Sequence, residues 1–154
     1  MDNVKTQVHD MQLVVFRLGN ENFGVNVGDV KEIIRVGEVT AIPNAPRYID
    51  GIINLRGRIT TIVNLRKKLG METGQIDNNS RIIVLENEQS NLGMIVDSVA
   101  EVKYIKDEQI DTLPAMFSAE MDGDCFQGIC KLPDQLLILI DLKKVIRDLD
   151  MSVF

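Results

Sequence analysis

The 154-residue chain has no tryptophan, one histidine, two cysteines and no long apolar run. Its histidine, His9, lies in a polar leader, which leaves no core position for a catalytic imidazole or a histidine-rich metal site. Cys125 and Cys130 are too few for a disulfide framework or a zinc set, and we expect two buried thiols. The longest apolar run, Leu136 to Ile140, is far shorter than the roughly 18 residues that cross a membrane as a helix.

The charge balance excludes further classes of protein. Seventeen basic residues stand against 23 acidic ones, and a net charge of -6 disfavours any general affinity for nucleic acid. No glycine-rich phosphate loop occurs, and Glu120, Asp122 and Asp124 lack the spacing of a calcium loop. We therefore expect no enzyme activity, no cofactor and no metal. A chain of this polarity with no signal peptide is expected in the cytoplasm.

Short alternating runs bounded by turn residues predict strands. A hairpin is expected where Val14, Phe16 and Leu18 share one face and a Gly-Asn-Glu-Asn loop leads into Phe23 and Val25. A second hairpin is expected around the turn at Arg56-Gly57, with Ile59, Thr61, Val63 and Leu65 alternating along its second strand. A short helix, capped by Asn64 and ended by Gly70, follows it.

This pattern repeats once along the chain. Leu92-Gly93-Met94 repeats Phe23-Gly24-Val25 at an offset of 69, and Gly128-Ile129 repeats Gly51-Ile52 at an offset of 77. Each copy supplies about five strands, so we predict an all-β fold of two packed five-stranded barrels with short helices. The expected boundaries are a leader at 1–12, one domain at 13–150 built from copies at 13–79 and 80–150, and a tail at 151–154. The repeat does not decide whether strands are exchanged between the copies.

The turn Asn54-Leu55-Arg56-Gly57 is the most informative stretch, because the two copies differ there. In one interpretation Gly57 supplies a positive φ and Arg56 is simply solvated. In the other, Arg56 is held by a carboxylate of the neighbouring hairpin, with Glu32 as the best candidate, and the pair frames a docking surface. An exposed pair stabilises a fold little, so its role would be orientation.

Several motifs, in order, resemble the CheW family of chemotaxis coupling proteins. They are Phe23-Gly24-Val25, Val30-Lys31-Glu32-Ile33, Ile42-Pro43, the stretch from Gly51 to Arg58, Val63-Asn64-Leu65-Arg66 and Gly93-Met94-Ile95-Val96-Asp97. The resemblance covers about Leu13 to Leu149. It implies a double five-stranded barrel and a non-catalytic adaptor with two partners. These are the cytoplasmic tip of methyl-accepting chemotaxis receptors and the CheW-like regulatory domain of the histidine kinase CheA.

The resemblance also assigns residues to each partner. The receptor-facing surface would lie in the groove between the barrels, at Val30, Glu32, Gly51, Asn54, Leu55, Arg56, Gly57, Val99 and Val102. The kinase-facing surfaces would lie at the barrel ends, at Val27, Ile33 and Ile34 in the first copy and at Asp111 and Met116 in the second. Other members often carry a basic residue where Asp111 stands and an aromatic where Met116 stands, and Phe117 offers that aromatic one residue later.

Two further questions follow from this assignment. Self-association in receptor-array rings is left open, while nucleic acid and direct membrane insertion are not expected. The alternative function is a small-barrel protein that binds oligonucleotides, which requires a basic groove and stacking aromatics. The acidic charge and seven Phe plus Tyr residues disfavour it. An enzyme that acts on a bound ligand is also disfavoured, because the sequence shows no arrangement of a nucleophile with a general base.

Overall fold

A computed structural model describes residues 10–72, 74–86, 91–112 and 125–147. These residues form eleven strands and two short α-helices. The strands are β1 (Met11–Leu18), β2 (Glu21–Asn26), β3 (Val30–Arg35), β4 (Ile49–Leu55), β5 (Arg58–Asn64), β6 (Arg81–Leu85), β7 (Leu92–Val96), β8 (Ser98–Ile105), β9 (Ile110–Asp111), β10 (Phe126–Lys131) and β11 (Leu136–Ile140). The helices are α1 (Leu65–Lys68) and α2 (Leu142–Arg147). No helix in these ranges is long and apolar enough to cross a membrane.

The strands form two sheets. One sheet has the order β8-β1-β2-β11-β10-β9, and the other has the order β3-β6-β7-β5-β4. Each sheet contains one parallel pair, β2 with β11 and β5 with β7, among antiparallel neighbours. The predicted all-β class is confirmed. The six-stranded sheet has one strand more than expected. In this sheet Ile110 and Asp111 form the two-residue strand β9, whereas the corresponding part of the other copy makes only a single bridge, from Thr40 to Ile52.

The two copies exchange their first hairpins. β1 and β2 join β8 to β11 of the second copy, while β6 and β7 join β3 to β5 of the first copy. The halves 13–79 and 80–150 are therefore not the two barrels of the fold. The pseudo-symmetry is kept in the pairing, since Ile138 pairs with Phe23 in one sheet as Thr61 pairs with Leu92 in the other.

Alternating side chains divide the core into three parts. Leu13 and Val15 of β1 lie in a cluster inside the six-stranded barrel, whereas Val14, Phe16 and Leu18 lie in a core shared with the other barrel. The rings of Phe16 and Phe23 stack there with centroids 5.6 Å apart. A third cluster, Ile62, Ile82, Val84 and Ile95, fills the five-stranded barrel. Two small barrels thus pack against each other across the shared core.

The expected faces of β5 need one correction. Val63 lies in the shared core as predicted, but Ile59, which the alternation placed on the same face, is 60% exposed. Thr60 and Ile62 are buried instead, at 1% and 0% exposure. Both faces of β5 are covered along most of its length, because one faces the barrel interior and the other the shared core. The alternation of apolar residues therefore does not identify a single buried face on this strand.

Candidate binding surfaces

The β4–β5 turn holds Arg56 outward in an uncommon backbone conformation. Leu55 pairs with Arg58, so the hairpin loop has two residues, and both have positive φ, at +53° for Arg56 and +84° for Gly57. Two such residues make the primed turn that suits the twist of a hairpin. The Gly57 N–H donates to Asn54 Oδ1 at 2.8 Å and closes the loop. A non-glycine residue with this φ is a strained choice, which points to a use for the guanidinium.

Arg56 forms a two-point ion pair with Glu32 of β3. Nη1 lies 2.5 Å from Oε2 and Nη2 lies 2.7 Å from Oε1. The hydrogen bond from Arg56 holds the pKa of Glu32 below its usual value, and the same bond raises the pKa of Arg56. The Arg56 side chain is 69% exposed and that of Glu32 is 21% exposed. The interpretation in which Glu32 holds Arg56 is therefore confirmed, and the pair orients a guanidinium towards solvent.

This pair stands at the open end of the five-stranded barrel. An open cavity of about 350 Å³ lies there, which we call the five-stranded mouth. Its lining consists of Lys31, Glu32, Leu55, Arg56, Arg58, Thr60, Val84, Leu85, Glu86 and Asn91. Apolar side chains form its inner wall and charged side chains its rim.

A second group of predicted residues borders the shared core. Val30 pairs with Leu85 and Ile33 with Ile83, and both of these partners are buried in that core. In the other barrel Val102 pairs with Val14 and Val99 with Phe16, which also belong to it. Residues opposite each other in a sheet share a face. Val30, Ile33, Val99 and Val102 therefore form an apolar margin beside the shared core, which we call the interbarrel margin.

The structure thus divides the receptor-facing prediction into parts. Val30, Val99 and Val102 belong to the interbarrel margin, while Glu32, Leu55 and Arg56 line the five-stranded mouth and Asn54 and Gly57 are exposed at its turn. Gly51 is buried. A Cβ there would lie 2.1 Å from the Thr40 carbonyl oxygen, and its φ is +149°. The close approach of the Thr40 backbone requires a glycine at this place in β4, and the receptor-facing assignment of Gly51 stays a prediction.

The kinase-facing residues are also spread over several environments. Val27 packs against the shared core, and Ile34 packs against the interior of the five-stranded barrel. Ile33, its neighbour on β3, faces the other way and is 36% exposed. Asp111 is exposed and pairs with Lys131, with Oδ2 and Nζ 2.7 Å apart. Met116 and Phe117 lie outside the described residues. The partner assignments themselves stay predictions.

Two features of these surfaces were not anticipated. Tyr104, two residues beyond Val102 on β8 and 76% exposed, extends the apolar stripe beside the interbarrel margin. The alternation Val102-Lys103-Tyr104 was a sufficient signal for it. Asp97 accepts hydrogen bonds from Arg66 and Gly19; Asp97 and Arg66 each end a family motif, but no local pattern predicted that they meet. The two cysteines are buried as expected, and burial raises the pKa of Cys130, against a small opposing effect of the Lys103 charge. Within the described ranges no three His, Cys, Asp or Glu side chains cluster as metal ligands.

Two small barrels that present an oriented ion pair and an apolar margin define a β scaffold built for binding. A family model described as a CheW-like domain matches residues 12–150. The chain is 34% identical to the chemotaxis protein CheW of Klebsiella aerogenes, over 92% of this chain and 85% of the relative. It is 33% identical to the chemotaxis protein CheW of Treponema pallidum, over 87% and 81%.

The structural comparison agrees with these relatives. The scaffolding protein TtCheW from Thermoanaerobacter tengcongensis matches with a TM-score of 0.78 and 36% identity, over 87% of this chain and 86% of that one. The chain therefore belongs to the CheW-like family of chemotaxis adaptor proteins. These relatives favour the adaptor role over the oligonucleotide-binding alternative.

Proposed function

We propose that this chain couples methyl-accepting chemotaxis receptors to the histidine kinase CheA by binding both, without catalysing a reaction itself. It would work at the cytoplasmic side of receptor arrays through its protein partners. The observation that carries the proposal is the oriented Glu32–Arg56 pair on a strained turn, together with the exposed apolar side chains of Ile33 and Val102. Such an arrangement gives orientation and contact area, which an adaptor needs.

The receptor surface is assigned to the interbarrel margin together with the Arg56 turn. Exposed apolar area is available at Val102, 49% exposed, and at Ile33. An amphipathic receptor helix can lay its apolar face on such a margin. The guanidinium of Arg56, whose fork Glu32 fixes, would set the register of that helix by polar contacts. Ile33 thereby joins the receptor surface in this proposal, because it shares a face with Val30.

The kinase surfaces are assigned to the barrel ends, at Val27 and Ile34 in one barrel and at Asp111, Met116 and Phe117 in the other. Ile34 already packs against the barrel interior, so it would support this contact from behind rather than dominate it. Asp111 carries a charge at an exposed strand end next to Lys131. A homologous barrel can pack against such ends.

Coupling then follows from simultaneous occupancy. The receptor and the kinase contact different sides of the adaptor, so binding one leaves the other surface accessible. Holding both partners in one assembly makes the second contact effectively intramolecular, and modest affinities suffice. A change in receptor state reaches the kinase because both are held in a fixed relation.

The experiment is reconstitution with a purified receptor signalling fragment and purified CheA. Co-sedimentation of the kinase with receptor-bearing vesicles should require this chain. Val102→Asp should lower receptor binding at least about tenfold while kinase binding is kept. Ile76→Asp is the matched control, because Ile76 is also 49% exposed but lies outside the margin. Equal losses in both variants, or co-sedimentation without the chain, would contradict the proposal.

A further inference from the structure

The five-stranded mouth contains a buried hydroxyl that has no hydrogen-bond partner in the described part of the chain. Thr60 lines this cavity at 1% exposure, and its hydroxyl makes no hydrogen bond with any residue of the described ranges. Thr60 pairs with Ile53 across the hairpin and shares its barrel-facing side with Ile62. A buried hydroxyl in an otherwise apolar interior destabilises a fold unless something completes its hydrogen bonds.

The six-stranded barrel has an apolar residue at the position that corresponds to Thr60. The pairing of Thr61 with Leu92, and of Ile138 with Phe23, makes Thr60 the counterpart of Leu137. Leu137 is 0% exposed and belongs to the cluster that fills the six-stranded barrel. A leucine at this place packs the interior, whereas the threonine replaces it with a smaller, polar side chain. The polar group is thus a feature of one copy.

Among the described residues that line the mouth, basic side chains outnumber acidic ones, although the protein as a whole is acidic. Three basic side chains, Lys31, Arg56 and Arg58, face two acidic ones, Glu32 and Glu86. Arg56 and Glu32 neutralise each other in their ion pair. Lys31 and Arg58 make no ion pair with any described residue, although the charge of Lys31 helps to lower the pKa of Glu32. Leu55 and Val84 line the same cavity and belong to the apolar interior of the five-stranded barrel.

We propose that the five-stranded mouth binds a small organic carboxylate that carries a second oxygen-containing group, such as a hydroxyl or another carboxylate. Its carboxylate would meet Arg58 and Lys31 at the rim, its short carbon chain would contact Leu55 and Val84, and its second oxygen would accept a hydrogen bond from the Thr60 hydroxyl. The volume of about 350 Å³ lies within the range of small-molecule sites, and the mouth of a barrel is a common location for them. The mouth shares Glu32, Leu55 and Arg56 with the proposed receptor surface, whereas Thr60, Val84, Lys31 and Arg58 belong to this proposal alone.

The test is titration of the full chain with L-malate and with succinate, observed by NMR on methyl groups. Saturable shifts of the Thr60 and Val84 methyl signals below about 10 mM are expected, with inorganic phosphate as the probe that lacks a carbon chain. Thr60→Val keeps the shape but removes the hydroxyl, so it should fold and weaken binding at least about fivefold. Thr61→Val, the neighbour on the opposite face, should leave binding unchanged.

A second pair of variants tests the charge. Arg58→Gln should weaken binding, and Arg47→Gln, an exposed arginine outside the mouth, should not. No saturable shift with either acid, or equal binding by Thr60→Val and wild type, would overturn the proposal. Shifts that appear only when a receptor fragment is added would assign the mouth to the protein partner and would overturn it as well. Thr60→Val should keep receptor and kinase binding, which separates this result from failure of the coupling function.

Discussion

Asp97 and Arg66 join parts of the chain that the exchange of hairpins brings together. Asp97 is the single residue between β7 and β8, where the chain leaves the five-stranded barrel and enters the other. Its Oδ1 accepts from Arg66 Nε at 2.9 Å, and its Oδ2 accepts from Arg66 Nη2 and from the Gly19 N–H, the latter at 2.7 Å. Its own N–H donates to the Arg17 carbonyl at 3.0 Å. One carboxylate thus connects α1, the crossing point and the β1–β2 hairpin.

The first prediction concerns the pH dependence of this connection. Burial works to raise the pKa of Asp97, but the hydrogen bonds from Arg66 and Gly19 and the charges of Arg66 and Arg17 outweigh it and lower that pKa. A lowered pKa in the folded state means that the unfolded chain binds more protons as the pH falls. The contribution to stability is therefore present at neutral pH and is lost below about pH 4.

Urea unfolding of Asp97→Asn measures it. At pH 7 the free energy of unfolding should fall by about 1–2 kcal/mol, since charge-assisted hydrogen bonds are lost from a partly exposed site. The difference from wild type should shrink as the pH drops below about 4. Asp134→Asn, at an exposed carboxylate, is the control and should behave like wild type. A difference that stays constant with pH would contradict the assignment to the Asp97 charge.

The second prediction separates the backbone conformation of the β4–β5 turn from the role of the Arg56 guanidinium. Arg56→Asn creates Asn-Gly, the pair that this type of turn prefers, so the positive φ costs less. Stability should be kept or rise by about 0.5 kcal/mol. Receptor co-sedimentation should weaken at least about tenfold, because the guanidinium is gone. Arg47→Asn serves as the control on an exposed arginine elsewhere. Undiminished receptor binding by a folded Arg56→Asn protein would remove Arg56 from the receptor surface.

The third prediction concerns Gly51 and the Thr40 backbone. Gly51→Ala would place a methyl group against the Thr40 carbonyl oxygen and strain a φ of +149°. We expect a loss of about 3 kcal/mol in the free energy of unfolding, the upper end for overpacked sites. Gly37→Ala is the control, because nothing lies within 4 Å of its added Cβ, and it should change stability by less than about 1 kcal/mol. Similar stability of the two variants in thermal unfolding would contradict the close approach.

The sequence was sufficient for features that depend on neighbours along the chain or on a repeated pattern. The hairpins at β1–β2 and β4–β5 and the helix cap at Asn64 are of this kind. The Glu32–Arg56 pair joins residues 24 positions apart, and the sequence offered it only as one of two interpretations. The exchange of hairpins was not visible, because an exchanged and an unexchanged hairpin have the same alternation and the same turns. The Asp97–Arg66 contact depends on that exchange, so it was missed with it. Thr60 was missed because both faces of β5 are covered, which removes the alternation that marks a buried face.

The last prediction uses the two cysteines to measure opening of the shared core, which contains Cys125, and of the six-stranded barrel, which contains Cys130. Cys125 and Cys130 are both 0% exposed, and burial raises the pKa of Cys130, which reduces the reactive thiolate. Ellman's reagent at pH 8 should therefore modify the native protein slowly and the urea-unfolded protein quickly. Cys125→Ser and Cys130→Ser report each thiol alone. If modification requires unfolding, its rate follows the fraction of unfolded protein. The expected loss of about 1–2 kcal/mol in Asp97→Asn raises that fraction, and therefore the rate, by about 5- to 30-fold. Fast modification of Cys130 in the folded wild-type protein would mean that the interior of this barrel is open to solvent.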